Sequence, residues 1–268
     1  MFHSLTKRNI GYVEECLGNR PLDLYSTADA ATFRDWLASR GMASATVKRV
    51  FSTVKAVVNF AVSEMGLDIK NAFSGVYLPN NNDAVKRMPV STESILRLKD
   101  ECELVDDELS WIVALIIDTG MRLSEGLDLL VDDLVLDHKY PHINLTPHSH
   151  RRLKTMNSQR VIPLIGSSLW AAKRLSSRNG FCFPRYAGTE FCNSNSASAA
   201  LNRWMKKVCG KGAVIHGLRH SFRDRLRQQQ APTDLVDQLG GWSIKSVGQH
   251  YGEGYALKVL SKWMKKIC

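Results

Sequence analysis

Apolar positions recur at helical spacing along most of this chain, and in one stretch the period shortens towards two. Residues 5–18 place Ile10, Val13 and Leu17 on one helical face. Ser26-Thr27 can cap a second helix carrying Ala31, Phe33, Trp36 and Leu37, which Gly41 ends. The clearest helix is capped by Ser44: Val47, Val50, Phe51, Val54, Val57, Val58 and Ala61 form one stripe, and Met65-Gly66 closes it. Lys48, Arg49, Ser52, Lys55 and Asn59 lie off that stripe. Residues 1–80 therefore predict a small all-helical domain with a partly basic face.

Pro79-Asn80-Asn81-Asn82-Asp83 is polar and aperiodic, so residues 81–90 are expected to be a linker, with Lys86 and Arg87 exposed in it. Ser91 caps the next helix, whose Ile95, Leu96 and Leu98 are expected to point inward. The acidic run Glu101 to Glu108 is expected at the surface. Leu109 to Ile117 is a strongly apolar helix stopped at Thr119-Gly120, and a short helix follows over about Ser124 to Leu130. Between Leu134 and Leu164 the period changes. His142–Leu145 and Arg160–Leu164 read as strands of a small antiparallel sheet, joined by a basic connection from His148 to Gln159. Helical spacing resumes over 167–178, 196–209, His216–Gln229 and Thr233–Leu239. Ser243 caps a segment ending near Tyr251, and Tyr255–Ile267 forms an amphipathic tail helix. The expected fold class is mainly α with a small antiparallel β-sheet: a helical domain over 1–80 and an α+β domain over 91–268.

Composition narrows the function classes. The 268 residues, 44% hydrophobic and 23% charged, suit an ordinary globular protein. No apolar run approaches the roughly 18 residues that span a bilayer, and no apolar segment follows the first residues as a signal peptide requires. No membrane partner is expected. The six cysteines show no C-x-x-C pair, which suits reduced thiols in a cytosol. Charge is unevenly spread: nine Lys/Arg against seven Asp/Glu in residues 1–80, six against fourteen in 81–145, and 21 against five in 146–268. A segment this basic repels itself unless a polyanion lies against it, and nucleic acid is the common polyanion.

Cutting a DNA phosphodiester without a metal needs a side-chain nucleophile that can hold the phosphoryl group. It also needs fixed donors for the charge that builds on the non-bridging oxygens, which the planar arginine fork supplies, and groups that move two protons. Thr119-Gly120-x-Arg122-x-x-Glu125 supplies an arginine after a glycine turn, with a carboxylate one helical turn on to orient it. Taken alone, that pattern is more often a surface ion pair. His216-x-x-Arg219 puts an imidazole and a guanidinium on one helical face, and alone is more often a surface pair. His148-Ser149-His150 with His142 lacks the carboxylate or cysteine that would complete a metal site, so no metal and no cofactor are expected.

The order of these pieces is more specific than any one of them. TGxRxxE, a basic hairpin with Lys-Thr and Arg-x-x-Pro-Leu, HxLRHxF, then Gly-Trp-Ser with a tyrosine nine residues after the tryptophan, together resemble the catalytic domain of the tyrosine recombinase (phage integrase) family. The run FRDWLASRGMASATVKRV…FAVSEMG resembles that family's helical core-binding (SAM-like) domain, so the resemblance covers nearly the whole chain. It implies that Arg122 and Arg219 clamp the scissile phosphate and that His216 bonds that phosphate or accepts a proton. Tyr251 would attack to form a 3′-phosphotyrosyl bond, with Tyr255 as the neighbouring competitor lacking the nine-residue spacing. Lys154 would be the general acid for the leaving 5′ oxygen, with Arg151 and Arg152 as competitors. Trp242 stands where many members carry a second histidine; its indole N–H donates a bond but moves no proton. Glu125 would be structural.

The implied activity is site-specific DNA recombination, without metal or ATP, by a phage or mobile-element integrase. Its partner would be double-stranded DNA at attachment sites, held by two domains closing around the duplex. Lys48, Arg49, Lys55, Lys86, Arg87, Arg151 and Arg152 are the expected phosphate contacts. The resemblance further implies a homotetramer on DNA, joined through the C-terminal helix, with an intramolecular helix as the other possibility. The expected location is the cytoplasm, at the nucleoid when bound. A type IB topoisomerase-like relaxer would use the same residue set, and a catalytically idle DNA-binding remnant would keep only part of it. The chain opens directly on the core-binding unit, which fits a simple recombinase or a truncated larger one.

Overall fold

The computed structural model describes residues 2–79, 88–188, 192–242 and 254–268. The chain divides into two compact units, Met1–Lys86 and Arg87–Cys268. The described first unit contains α1 (Phe2–Leu17), α2 (Thr27–Ser39) and α3 (Ser44–Glu64). At the start of α2 Ser26 accepts the Asp29 N–H, while the Asp29 carboxylate accepts the Ser26 N–H. This reciprocal box satisfies two end amides that the helix cannot. α3 differs from expectation: Ala43 precedes it, Ser44 is its first helical residue, and no side chain caps it. Its apolar stripe packs as the period predicts. The rings of Phe33, Phe51 and Phe73 meet at centroid distances of 5.4, 6.2 and 6.3 Å, among buried Leu37, Val47, Val50, Val54 and Val58. Lys48, Arg49 and Lys55 lie off that buried stripe, with Arg49 exposed and the two lysines half-buried.

In the second unit Val90, inside the stretch expected to be linker, is buried in the core, and its carbonyl accepts Ser221 Oγ at 2.8 Å. α4 (Thr92–Val105) begins at Ser91, which accepts the Ser94 N–H. Ile95 and Leu98 are buried, but Leu96 is 57% exposed. A rotation of about 100° per residue turns Leu96 away from the face that its two neighbours share. α5 (Glu108–Thr119) is the central helix, with every residue from Ile112 to Thr119 buried. It packs on α4, α7 (Gly166–Leu175) and α9 (Ile215–Gln228). Gly120 ends it at φ 61°, in the left-handed region where glycine carries no Cβ penalty. α6 (Leu123–Leu127) stops earlier than the expected Leu130, and a 3₁₀ turn over Val131–Asp133 follows.

Among the described residues one sheet forms, from β1 (Leu134–Val135), β2 (His142–Leu145) and β3 (Arg160–Pro163), antiparallel in that order. Ile143 pairs with Ile162 and Leu145 with Arg160. Alternation turns Ile143, Leu145, Arg160 and Ile162 to the buried side. Among the described residues α8 (Ser194–Cys209), α9, α10 (Thr233–Gly240) and α11 (Leu257–Met264) follow. The expected segment from Ser243 to Tyr251 lies outside the described residues, as do Lys86 and Arg87.

Within the single chain the tail packs on its own unit: α11 lies against β3, with Leu260 and Met264 buried, and Ile267 just beyond it is buried too. Arg225 of α9 holds its end by donating to the Ile267 carbonyl at 2.8 Å. An apolar face this close to uncovered core in its own chain closes there without the entropy cost of association. The six cysteines are unpaired. Among the described residues, no helix is long and apolar enough to cross a membrane.

Candidate active site

The Gly120 turn carries the chain out of α5 and presents Arg122 just before α6. Glu125, one turn on, accepts the Arg122 backbone N–H at 2.9 Å and the Arg122 Nη1. Nη1 also donates to Ser158 Oγ at 3.0 Å, and Nη2 lies 3.5 Å from the Gly241 carbonyl. The second arginine comes from α9. Its first amide, Ile215 N–H, is held at 2.8 Å by Asn202 of α8. His216 is exposed on this first turn. Arg219, one turn later, is buried, and donates through Nη1 to the Gly120 carbonyl and through Nη2 to the Gly240 carbonyl, both at 2.6 Å. Two of its five N–H groups are thus fixed by the ends of α5 and α10, which sets the plane of the fork.

Trp242 packs its ring under two guanidinium groups, Arg219 at 4.4 Å and Arg223 at 4.7 Å. Such stacking is worth about 0.5–2 kcal/mol per pair, more as water is excluded. Gly240 makes the arrangement possible, because a Cβ there would occupy the space of the Trp242 ring. Beneath the site lies Arg160 of β3. It donates to Glu125 Oε2 at 3.0 Å, to the Ser158 carbonyl at 2.7 Å and to the Leu239 carbonyl at 2.8 Å.

A cavity of about 290 Å³ opens over these groups and is lined jointly by Arg122, His216 and Arg219, with Ser194, Asn195 and Ser198 of α8 on its wall. Among the described residues, the guanidiniums of Arg122, Arg160 and Arg219 face the single carboxylate of Glu125. Burial, then Arg122 and Arg160, pull the Arg219 pKa down to about 9. Burial pushes the Glu125 carboxyl up, but Arg160 and Arg122 outweigh it and hold it below the usual range. An excess of positive charge away from water is relieved by an anion placed in the cavity.

Other expected site residues are scattered. Arg152 and Lys154 are exposed on the loop between β2 and β3. Arg151, expected at a phosphate, is corrected: it is 1% exposed and forks onto Asp133 at 2.6 and 3.1 Å. It also donates to the carbonyls of Asp128 and Thr146 at 3.0 and 2.9 Å, so its charge is committed inside the protein. Tyr251 lies outside the described residues. Tyr255 is engaged elsewhere, its hydroxyl 3.0 Å from Asp234, and burial together with that carboxylate raises its pKa. His148 and His150 stack on each other at 5.2 Å, and His150 packs on Phe181 at 4.9 Å. Among the described residues, no group of His, Cys, Asp and Glu is arranged to hold a metal.

Sequence reasoning named Arg160 only within the Arg-x-x-Pro-Leu piece and gave it no role, and it missed Ser158, Asn202 and Arg223 as parts of this neighbourhood. Arg160 had a legible signal. It shares the inward face of β3 with Ile162, and a charge at a core position demands a buried partner.

Comparison with known proteins bears on the whole chain. The model of the phage integrase family matches residues 90–256. The chain is 27% identical to the tyrosine recombinase XerC of Mycobacterium tuberculosis (strain H37Ra) over 254 aligned residues, covering 85% of this chain and 81% of that one. Two solved structures share its fold. The Tn1549 transposon integrase in complex with transposon right end DNA has a TM-score of 0.67 at 18% identity, covering 97% of this chain and 91% of that one. A lambda integrase dimer bound to a COC′ core site has a TM-score of 0.68 at 18% identity, covering 94% and 72%.

Proposed function

The chain belongs to the phage integrase family, and from that premise we propose that it is a site-specific recombinase that cleaves and rejoins duplex DNA through a phosphotyrosine on Tyr251. The observation that supports this reading best is the cavity shared by Arg122, His216 and Arg219. Its lining gathers two guanidiniums and an imidazole, side chains that donate to the oxygens of a phosphodiester.

In the proposed reaction the Tyr251 hydroxyl oxygen attacks phosphorus, and the bond from phosphorus to the 5′ oxygen breaks. The tyrosine proton leaves towards His216 or water, and Lys154 protonates the departing 5′ oxygen. The new phosphotyrosine retains the energy of the broken ester, so a second 5′ hydroxyl can reverse the step on another strand. Arg122 and Arg219 bond the non-bridging oxygens, whose charge is largest in the transition state. Because Arg219 is already aligned by two carbonyls and by Trp242, little reorganisation remains for the reaction itself. Trp242 thereby serves positioning, which suits an indole that moves no proton. Arg152, Lys154, Lys48, Arg49 and Lys55, with Lys86 and Arg87, supply contacts to the DNA backbone. Exchange between two duplexes cuts four strands, and one nucleophile per chain calls for four copies on the DNA. We propose that those copies are joined through the C-terminal helix, which in the single chain packs against its own unit.

Covalent trapping tests the reading. Wild type and Tyr251→Phe are incubated with nicked suicide duplexes from the flanks of the encoding element, with EDTA present, and run on denaturing gels. The expected result is a slow-migrating adduct in wild type alone. An adduct that persists in Tyr251→Phe would move the nucleophile. Tight binding without any adduct would overturn the catalytic reading. Relaxation of plasmids of any sequence by a single copy would replace recombination by topoisomerase-like action.

A further inference from the structure

We propose that Arg160 is a positioning residue for strand cleavage: it sets the three supports on which Arg122 rests. The inference depends on the proposed function, because it concerns how that site holds a scissile phosphate. Arg160 itself does not line the cavity, and its side chain is 3% exposed. Its role has to pass through other groups.

The side chain of Arg122 ends on three partners: Glu125, the Ser158 hydroxyl at 3.0 Å and the Gly241 carbonyl at 3.5 Å. Arg160 holds the first two directly and the third through the turn that precedes it. Its Nη2 bonds the second oxygen of Glu125 at 3.0 Å. Its Nη1 bonds the carbonyl of Ser158 at 2.7 Å, fixing the residue whose hydroxyl faces Arg122. Its Nε bonds the Leu239 carbonyl at 2.8 Å, in the turn that ends α10 and leads to Gly241. The approach to that turn is close. A Cβ on Gly241 would sit 2.7 Å from Arg160 Nη1, at a residue already in the left-handed region with φ 60°.

One planar fork therefore ties α6, the β2–β3 loop and the α10 turn together beneath the phosphate clamp. Ser158 extends the link: its hydroxyl lies 3.0 Å from that of Thr155, the residue after Lys154. The geometry needs the fork as well as the charge. Lysine has one nitrogen and cannot bond in the three directions that Nε, Nη1 and Nη2 use. A pure stabilising role would affect folding and leave the chemistry of a folded variant alone. A positioning role makes the loss depend on what the clamp must hold.

The test uses the full chain with Arg160→Lys, which keeps the charge beside Glu125, and Ser158→Ala, which removes the hydroxyl between Arg122 and Thr155. Thermal unfolding, DNA affinity and the first-turnover rate of adduct formation are measured. Two nicked substrates are used: an ordinary phosphodiester, and a methylphosphonate in which a neutral methyl replaces one non-bridging oxygen at the scissile position. A displacement of about 1 Å in a catalytic group costs on the order of 100-fold in rate. The expected result for Arg160→Lys is DNA affinity within about 2-fold of wild type and a rate roughly 100-fold lower on the phosphodiester. On the methylphosphonate, which asks less of the two arginines, the loss shrinks to about 10-fold or less. Ser158→Ala is expected to show the same pattern at smaller size, and decides the matter if Arg160→Lys does not fold.

Equal losses on the two substrates, or no loss in a folded variant, would overturn the inference while leaving wild-type cleavage intact. Absence of an adduct with wild type would instead overturn the proposed function, and the inference with it.

Discussion

Gly120→Ala isolates the turn on which the phosphate clamp is built. Gly120 sits at φ 61°, where a Cβ costs about 1–2 kcal/mol. That Cβ would also lie 2.5 Å from Phe222 Cγ and 3.0 Å from Phe222 Cβ, far inside contact distance. Phe222 is fully buried on α9, so its ring has no free space to turn into. Relieving the overlap moves either α9 or the turn, at about 1–3 kcal/mol for an overpacked core. The two effects together give about 3 kcal/mol, or a Tm lower by roughly 6–12 °C for a unit of this size. Gly180→Ala is the matched control: it has φ 72° and open space around a Cβ, so it carries backbone strain without overlap. Calorimetry on both variants should find Gly120→Ala less stable than Gly180→Ala by about 1–3 kcal/mol. Adduct formation should fall with it, because the Gly120 carbonyl anchors Arg219 at 2.6 Å. Equal melting temperatures for the two variants would refute the reasoning, since Phe222 would then yield without moving the turn.

Four further outcomes follow from the same structure. Arg151→Ala leaves buried Asp133 without its arginine, with the Leu130 N–H and His148 as its remaining neighbours, and should cost about 3 kcal/mol in denaturant unfolding, while the salt dependence of DNA binding stays unchanged. Arg152→Ala should do the reverse, lowering the slope of log affinity against log salt by about 1 with stability intact. Glu125 is held below its ordinary pKa of 4.5, so its stabilising contribution is complete above that pH and is lost as pH falls through the lower folded value. Glu125→Gln should therefore be less stable than wild type at pH 6, with the gap closing under acid titration; a constant gap would deny the carboxylate that role. Inorganic phosphate should raise the melting temperature by binding the folded cavity, and Arg219→Met should abolish the rise. An undiminished rise in Arg219→Met would place the anion elsewhere.

Much of the local structure was legible in the pattern of residues. The α5 helix ends at Gly120 because the apolar period stops at a residue free to turn left-handed. Ser91 and Ser26 cap α4 and α2 because a short hydroxyl side chain satisfies an end amide wherever it precedes a helical run. Strands β2 and β3 fall where the period becomes two. These are signals between residues a few positions apart. The spacing of Arg122 to Glu125 and of His216 to Arg219 belongs with them, since one helical turn fixes each pair.

What the sequence could not supply was the destination of each buried charge. Arg151 and Arg152 are adjacent cations in one basic loop, yet the first is buried on Asp133, 18 positions away, and the second faces solvent. Arg160 meets Glu125 across 35 positions and the Leu239 carbonyl across 79, and Arg219 meets Gly120 across 99. The tail helix showed its apolar stripe in sequence, but only the packed unit decided that its own β3 would cover it. Most helices, several of their ends and the order of the chemistry-bearing residues could be read along the chain, because periodicity and capping act over one or two turns. The tertiary structure alone decided which guanidiniums gather under the cavity and which are spent inside the core. A buried charge takes whatever partner the fold brings within about 3 Å, and no local pattern encodes that distance.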